Sequence, residues 1–196
     1  MMAVVEIKFE SWQLSDEQFF QLCQDNRDLR LERNAKGDLI IIPPTGGKTA
    51  NSNGRITQQL FNWSDNNGTG IAFDSSTGFK LPNGADRSPD AAWIPLDKWQ
   101  ALTPQQKERF LPLSPDFVIE LMSPSDSLET ARKKMQEYLD NGTRLGWLIN
   151  RKTREVEIYR QEQAVEILTN PESLSGENIL SQFVLELDSI GNSIIL

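Results

Sequence analysis

The chain has 196 residues, 38% of them hydrophobic and 24% charged, which suits one folded domain rather than a disordered segment. A formal charge of −8 argues against bulk affinity for polyanions, no apolar run approaches the ~18 residues of a membrane span, and the lone Cys23 excludes a disulfide framework and fits a reducing cytoplasm. The absence of histidine excludes Ser-His-Asp and Cys-His catalysis and histidine-ligated zinc, so any metal chemistry must use oxygen donors, which favour Mg2+ or Mn2+.

In chain order, Ser15 with Gln18 three residues later predicts a capped helix to about Cys23. Leu29–Arg33 and Asp38–Ile42 read as strands around the turn-like Asn34-Ala35-Lys36-Gly37, and Pro43-Pro44 ends the second. Thr49 to Trp63 follows as a helix with Ile56, Leu60 and Trp63 on one face. Gly70–Phe73 and Gly78–Leu81 are short extended segments, Pro82-Asn83-Gly84 a turn, and Ser88–Ile94 a strand; short helices are expected between Leu96 and Phe110.

Asp116–Met122 is nearly all apolar, the pattern of a central buried strand. Ser123-Pro124-Ser125-Asp126 ends it, and Asp126 with Glu129 predicts the cap of a helix running to about Asp140. Leu145–Ile149 and Val156–Tyr159 read as a hairpin, with Val165–Leu168 and Phe183–Leu187 as further strands. Strand–helix–strand order predicts an α/β fold with a mixed central sheet and flanking helices.

Glu120 interrupts the apolar strand, and a buried carboxylate costs several kcal/mol unless it is protonated, paired or bound to a cation. Pairing with a nearby Arg or Lys is the purely structural alternative. Asp90 opens a second strand directly after a turn, so two carboxylates on adjacent strands can converge on one divalent cation, although Asp90 also suits a simple turn hydrogen bond. Asp116 shares the face of Glu120 by strand alternation and is a reserve ligand.

On the 126–141 helix, Leu128, Ala131, Met135, Tyr138 and Leu139 form the apolar stripe. Lys133 points away from it into solvent. Lys134 flanks the stripe and can lean toward the sheet to orient or deprotonate water or to neutralise a phosphoryl charge, or it can simply snorkel over apolar surface. Residues 131–160 carry eight basic and four acidic side chains, a local +4 that leaves −12 to the rest of the chain. That segment is either a guide for a phosphate backbone or a solvated face.

Pro89-Asp90, the run from Pro115-Asp116 through Glu120 to Ser123-Pro124-Ser125, then Lys134, Tyr138, Asn141-Gly142 and Leu145-Gly146-Trp147-Leu148-Ile149 together resemble a widespread bacterial family of restriction-endonuclease-like proteins, long known as a domain of unknown function, within the PD-(D/E)XK nuclease superfamily. The resemblance implies a restriction-endonuclease-like core in one domain over residues 1–196, with an N-terminal helix and hairpin at 1–48, the nuclease core at 49–160 and C-terminal strands at 161–196. It implies a Mg2+- or Mn2+-dependent endonuclease acting on DNA, with the metal on Asp90 and Glu120 and with Asp90, Glu120 and Lys134 as the catalytic set. Arg132, Tyr138, Gly47 and Lys48 are the candidate substrate-binding residues. The superfamily lysine two residues after the second carboxylate is Met122 here, which passes that role to Lys134 on the following helix. The first core helix offers Asn53, Gln58 and Gln59 but no acid, so a single ion is expected. A cation can activate water by itself, which makes the lack of histidine no obstacle. A homodimer is compatible with this class, and no membrane or nucleotide cofactor is expected.

Gly46-Gly47-Lys48-Thr49 resembles half of a P-loop, but the position of its first glycine is Ile42, which argues against nucleotide hydrolysis. The five tryptophans are expected in the core, with Trp99 the most exposed. The alternative to an enzyme is a catalytically inactive nuclease fold serving as a nucleic-acid-binding or assembly module, which the −12 outside the basic segment and the displaced lysine favour.

Overall fold

A computed structural model describes residues 4–191. In chain order they form β1 (Val5–Ile7), α1 (Asp16–Asp25), β2 (Arg30–Arg33), β3 (Leu39–Ile42), α2 (Gly47–Asn67), β4 (Gly70–Asp74), β5 (Phe79–Lys80), β6 (Asp86–Arg87) and β7 (Ala91–Pro95). The short helices α3 (Leu96–Ala101) and α4 (Pro104–Lys107) follow, then β8 (Phe117–Met122), α5 (Leu128–Asp140), β9 (Leu145–Asn150), β10 (Glu155–Arg160), β11 (Glu166–Thr169), β12 (Ser173–Ser175), β13 (Val184–Glu186) and α6 (Asp188–Gly191). Among the described residues, no helix is long and apolar enough to cross a membrane.

The central sheet runs β11-β10-β9-β8-β7-β4 and is mixed: β8 and β9 are parallel and every other neighbour is antiparallel. Parallel neighbours require a crossover, and α5 supplies it. Gly146 lets that helix lie close, because a Cβ there would sit 2.5 Å from Met135 Cε. An antiparallel five-stranded sheet, β1-β3-β2-β6-β5, lies beside the central one, and β12 pairs with β13.

Strand alternation sends Phe117, Ile119 and Leu121 of β8 to one face, where Ile56 and Leu60 of α2 and Leu180, Phe183 and Leu185 cover them. Val118 and Met122 face the other way, against Met135 and Tyr138 of α5. A residue between those two must also face α5, and that residue is Glu120.

Three local outcomes differ from expectation. The cap of α5 is Ser127, whose hydroxyl accepts from Thr130 N, while Asp126 accepts from Ser123 N at 2.6 Å and closes the preceding turn. Helix α2 is longer than its apolar stripe suggests and stops at Gly68, which takes the left-handed conformation with φ 70°. Trp12 is the exposed tryptophan, at 59%, whereas Trp99 packs on Phe73 and carries the Lys107 ammonium over its ring.

Candidate active site

The chain passes from one sheet to the other through Ser88-Pro89-Asp90, between β6 and β7. The β7–β8 ladder stops at the pair Ala91↔Ile119. The ladder does not continue to Leu121, which lies beyond it. Leu121 N donates instead to Asp90 Oδ2 at 2.8 Å, so the side chain replaces the missing ladder bond and is fixed by it. Asp90 Oδ1 accepts from Arg30 Nη1 and from Asn53 Nδ2, each at 3.3 Å.

Glu120 Oε1 lies 2.8 Å from Lys134 Nζ and accepts from the Tyr138 hydroxyl at 3.1 Å. Lys134 Nζ also donates to Glu32 Oε1 at 2.9 Å. Glu32 accepts from Ser88 N and from Arg87 Nη1, both at 3.1 Å, and Arg87 Nε donates to Glu137 at 2.6 Å. The result is an alternating row, Glu120–Lys134–Glu32–Arg87–Glu137, that joins β8, α5, β2 and β6.

Burial pushes the Glu120 carboxyl up and the Asp90 and Glu32 charges add to that; against the pull of Lys134 it stands at about 7. Burial would also raise Glu32, but Lys134 and Arg87 outweigh it and hold that carboxyl at about 2. Burial opposes the charge of Lys134, yet Glu120 and Glu32 prevail and keep its ammonium above the ordinary lysine value. Lys134 is therefore a fixed cation rather than a base. Burial together with Glu120 and Glu32 drives the Tyr138 phenol well above its usual range, so it stays a donor.

The fold thus brings together Asp90, Glu120, Lys134 and Tyr138. Tyr138 is fully buried and its hydroxyl meets Glu120, so it has no surface to offer a substrate. Arg132 is engaged elsewhere, with Nε and Nη2 both on Glu157, at 2.9 and 2.6 Å. Gly47 and Lys48 form the first turn of α2, where Arg151 Nη1 donates to Lys48 O at 2.8 Å. Asp116 is held by Lys98 at 2.7 Å near the opposite end of β8, about 13 Å along the strand from Glu120, which removes it from the site.

Arg30 and Glu32 are the site residues that sequence reasoning missed. They alternate with Leu31 and Arg33 along β2, and that alternation of two charges on one face was the available signal. No local pattern shows that this strand meets α5.

A family model described as "Uma2: Putative restriction endonuclease" matches residues 16–188. The chain belongs to the Uma2 family. No curated protein matches it. Among solved structures, this Uma2 chain resembles a protein from Anabaena variabilis ATCC 29413, described as "a putative nuclease belonging to DUF820", with a TM-score of 0.69 and 21% identity over 82% of this chain and 88% of that one. At that identity the likeness shows a common fold, restriction-endonuclease-like and α/β with a mixed central sheet.

This Uma2 site offers oxygen donors of the type a hard divalent cation takes. Among the described residues no three acidic or cysteine side chains are arranged to hold a metal ion together, which leaves Asp90 and Glu120 as a pair. Asn53 Oδ1, beside Asp90, is buried without a hydrogen-bond partner and is available as a neutral oxygen donor. These are hard oxygen donors, the chemistry that suits a divalent cation such as Mg2+ or Mn2+.

Proposed function

We propose that this protein is a metal-dependent endonuclease that hydrolyses phosphodiester bonds in DNA. The observation that carries the reading is the convergence of Asp90, Glu120 and Lys134, with Glu120 held at about 7 in an otherwise apolar strand. A carboxyl shifted so far beside a second carboxylate and a lysine is the pattern of a functional site.

Asp90 and Glu120 would hold one Mg2+ or Mn2+, which supplies Lewis-acid polarisation of the phosphate and acidifies water. Leu121 N fixes Asp90 through Oδ2 and leaves Oδ1 toward the site. Tyr138 holds Glu120 from the helix side, so a cation meets a carboxylate already oriented. Lys134, permanently charged and tethered to Glu32, orients the attacking water or stabilises the charge that develops on the phosphoryl oxygens. The half-buried Cys23, its thiol pushed up to about 11 by burial, stays protonated and unreactive at neutral pH, and a chain with one cysteine and no internal disulfide fits a reducing cytoplasm.

One observation favours the second reading, a catalytically inactive module that binds nucleic acid or assembles with it. Lys134 pairs closely with Glu120 and Arg30 more loosely with Asp90, so the cluster is a salt-bridge network without metal. Cleavage of supercoiled plasmid separates the two. The enzyme reading expects nicking or linearisation with Mg2+ or Mn2+, a loss of at least ~100-fold in Asp90→Ala and Glu120→Ala, and a smaller loss in Lys134→Ala. An inert wild type that also fails to bind Mn2+ leaves the module reading.

A further inference from the structure

The two oxygens of Asp90 are held very differently. Oδ2 has a short bond from Leu121 N at 2.8 Å, whereas both contacts to Oδ1 are 3.3 Å, well beyond the ~2.7–2.9 Å of a good charge-assisted bond. Arg30 spends its firm bond elsewhere, with Nη2 on Ser88 O at 2.6 Å, and its side chain is 32% exposed. Its Nε has no hydrogen-bond partner. Five N–H donors on one planar fork leave it well supplied for an oxyanion.

With every group ionised, Asp90, Glu120, Glu32 and Glu137 face Arg30, Lys134 and Arg87, a balance of −1. A divalent cation would turn that to +1, the complement of one phosphodiester charge. Without Arg30 the same site would only be neutralised by the metal and would keep no charge for the substrate.

Resting on the nuclease reading above, we infer that Arg30 is a counter-cation coupling metal to substrate: it sits on Asp90 Oδ1 in the free protein and passes to the substrate phosphate when a cation takes that oxygen. The bond to Ser88 O anchors the guanidinium through the exchange. Metal alone then binds weakly because it must displace Arg30, and metal and phosphodiester strengthen each other's binding, as linkage requires. Asn53, the other donor to Oδ1, is neutral and contributes no such competition.

The test is Mn2+ affinity of the whole chain, read from the free-Mn2+ resonance, and affinity for a short DNA duplex in Ca2+. Arg30→Gln should bind Mn2+ about tenfold more tightly than wild type, and the duplex about tenfold more weakly, the size of a typical coupling. Arg30→Lys keeps the charge without the fork; its Mn2+ affinity should stay near that of wild type while duplex affinity falls, and it serves if the glutamine variant does not fold. Unchanged or weaker Mn2+ binding by folded Arg30→Gln overturns the inference and leaves the nuclease reading standing. If neither protein binds Mn2+ at millimolar concentration, the metal site fails and the inference falls with it.

Discussion

Glu32 Oε1 and Lys134 Nζ meet at 2.9 Å where the antiparallel sheet abuts the helix that crosses the central one. The contact ties the orientation of a candidate catalytic lysine to a strand outside the strand–helix–strand core. Glu32 is 2% exposed and also binds Arg87 and Ser88 N, so the tie is built into the fold.

Glu32→Ala should be strongly destabilising, by about 3–5 kcal/mol, because it strips two buried cations of a partner and leaves Ser88 N without its acceptor. Glu32→Gln should cost less, since it keeps an acceptor. Urea unfolding at neutral pH measures both, and a near-neutral alanine variant would show that the row contributes little to folding.

Glu120 and Glu32 pull stability in opposite directions with pH. The Glu120 carboxyl, raised from 4.5 to about 7, contributes stability that is complete below about pH 4.5 and is lost as pH rises through 7. Glu32, lowered to about 2, contributes above about pH 4.5 and loses that contribution as pH falls toward 2. Metal-free Glu120→Gln should therefore exceed wild type at pH 8 by on the order of 1–3 kcal/mol, and the gap should close below pH 4.5. A glutamine variant less stable than wild type at pH 8 would contradict a burial cost that exceeds the pairing with Lys134.

Mn2+ should raise the Tm of the wild type at pH 8 and do so much less at pH 5.5. Binding must expel the Glu120 proton, so affinity falls with pH below about 7. At a hundred times Kd the gain is about 2.7 kcal/mol. The Asp90→Ala, Glu120→Ala double variant should show no response at either pH; a response equal to wild type would place any Mn2+ elsewhere.

Asn53 should tune the same affinity. Asn53→Leu removes the unpartnered Oδ1 and should weaken Mn2+ binding by about tenfold. Asn53→Asp puts a second carboxylate beside Asp90, so its metal-free Tm should drop and its gain from Mn2+ should exceed that of wild type. Calorimetric titration of the three proteins decides it, and identical affinities would remove Asn53 from the donor set.

Much of the fold was legible along the chain because periodicity and capping are local. The Ser15–Gln18 box, the α5 stripe and the apolar run of β8 each form as their residues dictate. The strands that local patterning missed are β1, whose residues are all exposed, the two-residue β6 and the three-residue β12; their pairing depends on partners rather than on their own sequence. Glu120 stood out for the same local reason: a charge in an apolar strand is costly wherever that strand lies.

What the chain by itself determined was a mixed α/β fold, a pair of carboxylates on neighbouring strands, and a lysine able to lean toward them. Only the tertiary structure decided their company. The β7–β8 ladder ends before Leu121, whose N–H donates to the Asp90 side chain instead, and the adjoining sheet carries Arg30 to Asp90 and Glu32 to Lys134 across 60 and 102 residues of sequence. Ion pairing acts through space and leaves no period in the sequence, so Arg30 and Glu32 read as ordinary strand charges until the sheets meet.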